Sequence, residues 1–138
     1  MADLAKAAAY QPTEDAVTLA GRIRGGELSA RDALNAALDR IGALNETLAA
    51  FCTLGADQAK AEAEAVDRKL AKGESVGPLA GVPVAIKDLI STRAMRTTFG
   101  SPLYRDNVPG EDDIVVERLR AAGAIIVKKQ IHRNSAMA

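Results

Sequence analysis

Lys87 closes the run Gly77-Pro78-Leu79-Ala80-Gly81-Val82-Pro83-Val84-Ala85-Ile86-Lys87-Asp88 and is the side chain best placed to do chemistry. The run reads as a buried strand that ends on an ammonium. Taking that charge out of water is costly, so the placement needs a reason. Three readings fit the residues. In the first, the stem packs and the ammonium reaches water. In the second, Val84-Ala85-Ile86-Lys87 is a strand whose lysine holds nucleotide phosphates. The spacing argues against this: Gly73, Gly77 and Gly81 fall four apart, not as Gly-x-Gly-x-x-Gly, and no Gly-Lys-Ser/Thr loop exists. In the third, Lys87 is a desolvated neutral amine that takes a proton from a serine hydroxyl. That role requires the ammonium to be destabilised by about 3 pK units, roughly 4 kcal/mol.

Other reactive groups are few. Cys52 is the one cysteine, so no intrachain disulfide can form, which points to a reducing, cytoplasmic setting. Between Phe51 and Thr53 it reads as a small buried hydrophobe. His132 is the one histidine and reads as an ordinary surface residue. No cluster with metal-ligand spacing accompanies it, so no metal is expected. Asn45-Glu46-Thr47 matches a glycosylation sequon, but no secretory signal precedes it. Lys+Arg and Asp+Glu are 18 each, giving zero net charge. That balance argues against a nucleic-acid or anionic-membrane partner. Aromatics make up 3%, which disfavours stacking on single-stranded nucleic acid. No apolar run approaches the ~20 residues of a membrane span.

The elements that position Lys87 fall into two regions. Residues 1–75 read as helices. Thr13 caps a first helix with Ala16, Leu19, Ala20 and Ile23 on one face, ended by Gly25-Gly26. Ser29 caps a second with the stripe Ala33, Leu34, Ala37, Leu38, Ile41 and Leu44. A third runs from about Asp57 to Ala71 with a mostly alanine face, which needs a surface to lie on. Lys72-Gly73-Glu74-Ser75 is the expected boundary. From residue 76 the pattern becomes α/β. Val82–Ile86 is a strand, with Pro83 at its start or edge. Residues 91–111 form a long irregular loop. Asp112 or Asp113 caps a helix with Val115, Val116, Leu119 and Ala122 on one face, and Gly123 closes it. Ala124–Val127 is a second strand. Strand, loop, helix, strand is a β-α-β unit with a parallel pair. Two parallel strands cannot close a core alone, so residues 76–138 read as an α/β core truncated after its start.

The Gly77–Asp88 run resembles the lysine-bearing segment of the amidase signature family. The resemblance continues through Thr97-Thr98-Phe99-Gly100-Ser101-Pro102, Glu111-Asp112-Asp113 and Val116–Val127, and into the Ser29-Ala30-Arg31-Asp32 helix start. It implies a mixed-sheet amidase fold, present here as N-terminal helices and the first β-α-β part. It implies a Ser-cisSer-Lys amidohydrolase that acts on carbon–nitrogen bonds of a small-molecule amide without metal or organic cofactor. Lys87 would be the base that ends the proton relay. The family's Gly/Ser-rich segment, with both serines and the oxyanion loop, lies downstream of the matched motifs. None of Ser91, Ser101 or Ser135 has that context. After Val127 the chain reads Lys128-Lys129-Gln130, where the family has Gly-Lys and soon a glutamate. The expectation is an N-terminal fragment, inactive alone and marginally stable or self-associating through its exposed sheet edge. The alternative is a non-catalytic interaction module or the relic of a degraded amidase gene.

Overall fold

The computed structural model describes residues 14–130. Thr13, Ser135 and His132, singled out above, lie outside them. Helix α1 (Ala16–Arg24) is capped by Asp15, whose carboxylate accepts a 2.7 Å hydrogen bond from the Thr18 N–H. That bond holds the Asp15 carboxyl below its ordinary range. Leu19, Ala20 and Ile23 are buried as the periodicity requires, while Ala16 faces solvent. Gly26 turns the chain left-handed at φ 76° and leads to α2 (Ala30–Leu48).

Ser29 caps α2 as expected, accepting from the Asp32 N–H at 3.0 Å. A second cap comes from far along the chain. Asp67 accepts from the Ala30 N–H at 2.7 Å and the Arg31 N–H at 3.1 Å. The carboxylate thus answers two orphan donors and the positive end of the helix dipole. The apolar stripe is buried at Ala33 and Leu34, but Leu44 and Leu48 at the far end are exposed. Asp67 belongs to α3 (Ala56–Ala71), whose Ala59 and Ala63 are fully buried. Alanines let α3 lie close to its neighbours, which supplies the surface its thin apolar face needs.

The helical first half is interrupted by a strand, β1 (Phe51–Leu54), a correction to the all-helix expectation. Helix α2 ends at Ala49 in the left-handed region, φ 45°. The Asn45 side chain then clamps the Phe51 backbone, accepting from its N–H at 2.9 Å and donating to its carbonyl at 3.2 Å. The sequon asparagine therefore starts a strand. Cys52 is exposed on β1, not the buried hydrophobe expected, because β1 lies at the sheet edge.

Strand β2 (Pro83–Lys87) and strand β3 (Ile125–Gln130) form the anticipated parallel pair. Pro83 opens β2, where its missing N–H costs the ladder nothing. The sheet has three strands in the order β1-β3-β2, with β1 antiparallel to β3. The mixed α/β class expected from the sequence is the one observed. Between β2 and β3 lie a short 3₁₀ turn (Pro102–Tyr104) and helix α4 (Ile114–Ala121). Asp113, not Asp112, caps α4. Val116 is fully buried and Leu119 packs behind it, whereas Val115 is exposed.

The sheet divides two apolar layers. On one face Ile125, Val127 and Val82 pack with Leu19, Ile23, Leu28 and Leu34 and with the small alanines of α2 and α3. On the other, Ile126 and Ile86 pack with Val116 and with Met95 of the connecting loop. The junction into β2 is tight. The Leu79 N–H donates to the Ala122 carbonyl at 2.8 Å and the Gly81 N–H to the Gly123 carbonyl at 3.0 Å. A Cβ at Gly77 would collide with the Ala122 oxygen and lie 2.5 Å from its carbonyl carbon, so only glycine fits this approach.

Candidate active-site lysine and its loop

Lys87 is the last residue of β2, at the end of the parallel pair, opposite Gln130 of β3. Strand alternation puts it on the face of Pro83 and Ala85, opposite the buried Ile86. Pro83, Ala85 and Val127 line one side of an apolar groove of about 280 Å³. Ile41, Leu44 and Leu48 of α2 line its other side. Lys87 itself is exposed. The described residues therefore do not supply the desolvation that the base reading requires. They do fix its backbone: its N–H and carbonyl lie in the strand and turn, and the carbonyl accepts from Ile90 at 3.0 Å.

The next residue turns inward. Asp88 is 3% exposed. Its carboxylate accepts from the Thr98 N–H at 3.0 Å and from the Thr98 hydroxyl, and its carbonyl accepts from the Phe99 N–H at 3.0 Å. Thr98 also accepts from the Gly100 N–H at 3.3 Å. Neither Asp88 nor Thr98 stood out as functional in the sequence. The available signal was an aspartate placed directly after a strand-ending lysine, with Thr-Thr-Phe-Gly about ten residues on.

The connection of residues 88–113 contains the irregular loop expected over residues 91–111, and it is strongly tied. Thr97 is fully buried and its N–H donates to Asn107 at 2.9 Å, while the Asn107 amide donates back to the Thr97 carbonyl at 2.9 Å. The Ala94 N–H donates to Pro109 at 3.1 Å and the Asp113 N–H to Ser91 at 2.9 Å. Asp112 joins three elements. It accepts from the Arg93 N–H at 2.7 Å and from Arg120 Nε at 2.9 Å, and Arg120 Nη1 reaches Glu62 of α3 at 3.1 Å. Ser101 caps the 3₁₀ turn, accepting from the Leu103 N–H. Among the described residues no group of three or more His, Cys, Asp or Glu side chains could hold a metal. No helix among them is long and apolar enough to cross a membrane.

A family model described as amidase matches residues 32–138, which include the whole Lys87 strand and its loop. The chain belongs to the amidase family. It is 46% identical over 114 residues to a glutamyl-tRNA(Gln) amidotransferase subunit from Acidothermus cellulolyticus, covering 83% of this chain and 23% of that protein. It is 47% identical over 103 residues to the corresponding protein of Moorella thermoacetica, covering 75% and 21%. Among solved structures it resembles the peptide amidase of Stenotrophomonas maltophilia, with a TM-score of 0.80 and 37% identity over 86% of this chain and 25% of that one. The chain thus spans about a quarter of the length of these relatives.

Proposed function

We propose that this chain carries the lysine-bearing segment of an amide-hydrolysing enzyme, with Lys87 as the terminal base of a serine relay. The observation that carries the reading is the position of Lys87. It ends a parallel strand inside the segment that the amidase model matches, and its backbone is fixed by the ladder and the Lys87–Ile90 turn. In such a relay the neutral amine of Lys87 receives a proton through a bridging serine from the nucleophilic serine. The freed alkoxide attacks the amide carbonyl, and backbone N–H groups hold the oxyanion. The amine leaves with a proton, and water then hydrolyses the acyl-enzyme. Neither Ser91 nor Ser101 serves as nucleophile, since Ser101 is engaged in its turn and Ser91 stands outside any paired-serine context. The chemistry uses no metal or organic cofactor. The substrate is a small-molecule amide, and a reducing cytoplasmic setting suits an exposed single thiol.

The isolated 138-residue chain is expected to release no ammonia or amine from primary amides, peptide amides or glutamine. The complete gene product is expected to do so. Turnover by the isolated chain, or none by the complete gene product with any amide class, contradicts the reading.

A further inference from the structure

Asp88 directly follows the residue proposed as base, and its side chain is bonded to Thr98 of the same loop. Asp88 is one of three buried polar residues among them, with Thr92 and Thr97. A buried carboxylate is costly unless its oxygens are satisfied. Here both oxygens are answered by one residue, Thr98, through its N–H at 3.0 Å and its hydroxyl. The Phe99 N–H adds a bond to the Asp88 carbonyl at 3.0 Å. A second observation is independent of these bonds. Phe99 sits at φ 52°, a left-handed conformation that glycine adopts freely and phenylalanine only rarely, and Gly100 follows at φ 69°. Such strain costs about 1–3 kcal/mol and persists where surrounding contacts over-determine the backbone. The left-handed step turns the chain away immediately after the Thr98 and Phe99 N–H groups have met Asp88. The Phe99 ring, packed edge-on against Tyr104 with centroids 5.3 Å apart, helps to hold the turn.

The clasp is thus directed at the peptide that follows Lys87. Fixing Asp88 fixes the exit of β2, and with it the direction in which the Lys87 stem leaves the sheet. We infer that Asp88 and Thr98 are positioning residues that aim Lys87 in the proton relay, the strained Phe99 turn being the cost of that aim. This rests on the assignment of Lys87 as base.

The test uses the complete gene product and steady-state hydrolysis of one amide. Asp88→Asn places an amide where two donors converge and is expected to lower kcat about 10- to 100-fold with KM little changed, the loss that small misplacements of catalytic groups produce. Thr98→Val keeps the shape and the N–H but removes the hydroxyl, and is expected to lower kcat in the same sense. Thr98→Ser is expected to recover most of what Thr98→Val loses. Leu34→Ala, a fully buried residue of the α2 core that makes no part of the Asp88–Thr98 clasp, serves as the stability control and is expected to lower the melting temperature while kcat holds. If Asp88→Asn fails to fold, the Thr98 pair decides. A kcat that holds in Asp88→Asn and Thr98→Val while Lys87→Ala loses turnover overturns the positioning role and leaves the base intact. Equal losses in Thr98→Ser and Thr98→Val, or a loss of kcat in Leu34→Ala that follows melting temperature as theirs does, make the clasp merely structural. Turnover kept in Lys87→Ala removes the base assignment and the clasp's role together.

Discussion

Gly77→Ala tests whether the entry to the lysine strand is as tight as it looks. The added Cβ would collide with the Ala122 oxygen and lie 2.5 Å from its carbonyl carbon and 3.0 Å from its Cα, all backbone atoms that cannot rotate away. Comfortable contact begins near 3.5 Å, so the two segments must part by about 1 Å. That movement breaks the 2.8 Å bond from the Leu79 N–H to the Ala122 carbonyl and strains the 3.0 Å bond from Gly81 to Gly123. Overpacking costs about 1–3 kcal/mol, and a part-buried backbone group left unpaired adds about 1–2 kcal/mol. The stiffer unfolded chain returns about 0.4–1 kcal/mol. The net expectation is a loss of about 2–4 kcal/mol, or about 8–16 °C in melting temperature for a chain of this size. Urea and thermal unfolding followed by circular dichroism measure it. Gly21→Ala is the matched control. Gly21 lies inside α1 with no atom within 4 Å of the new Cβ, so it should gain about 0.5–1 kcal/mol. Equal effects from the two substitutions would refute the packing argument.

Three further outcomes follow from the described contacts. Asp67→Ala removes both bonds to the start of α2 and should cost about 1–2 kcal/mol in urea unfolding, while Asp67→Asn, which keeps an acceptor oxygen, should cost less. The Thr18 N–H depresses the Asp15 carboxyl in the folded chain. The stability it contributes is therefore present above the ordinary value of 3.8 and lost as pH falls through the lower folded value. Asp15→Ala should flatten that part of an acid titration of unfolding free energy and leave the neutral-to-alkaline part parallel to the parent. Cys52 is exposed, so a thiol reagent should label it at the same rate with and without mild denaturant. Strong protection in buffer would contradict its place on the edge strand.

Local signals placed much of the fold because they act over a few residues. Ser29 caps its helix through Asp32, Pro83 opens its strand, and β-branched runs on either side of a capped helix form the parallel pair. What escaped is held from a distance. Phe51–Leu54 is too short to announce a strand, and it exists through pairing with β3 and the Asn45 clamp. Asp67 caps a helix 37 residues away in sequence. The far end of the α2 stripe has the spacing of core, yet it faces a groove among the described residues. Near the candidate site, the sequence placed Lys87 at the end of a strand, and the structure has it there. Its exposure fits the first of the three sequence readings, in which the ammonium reaches water. Asp88 carries only a weak signal, because an aspartate after a strand reads as solvent-facing, and its burial depends on Thr98, ten residues on, folding back onto it.

The measurement that bears most directly on the account is kcat for amide hydrolysis by the complete gene product with Lys87 replaced by alanine and, separately, by methionine. Both variants remove the amine, while methionine keeps most of the stem. The account predicts that both lose about 10²- to 10⁴-fold in kcat, the span general-base removal produces, with melting temperatures close to the parent. A kcat within about threefold of the parent in both would contradict it.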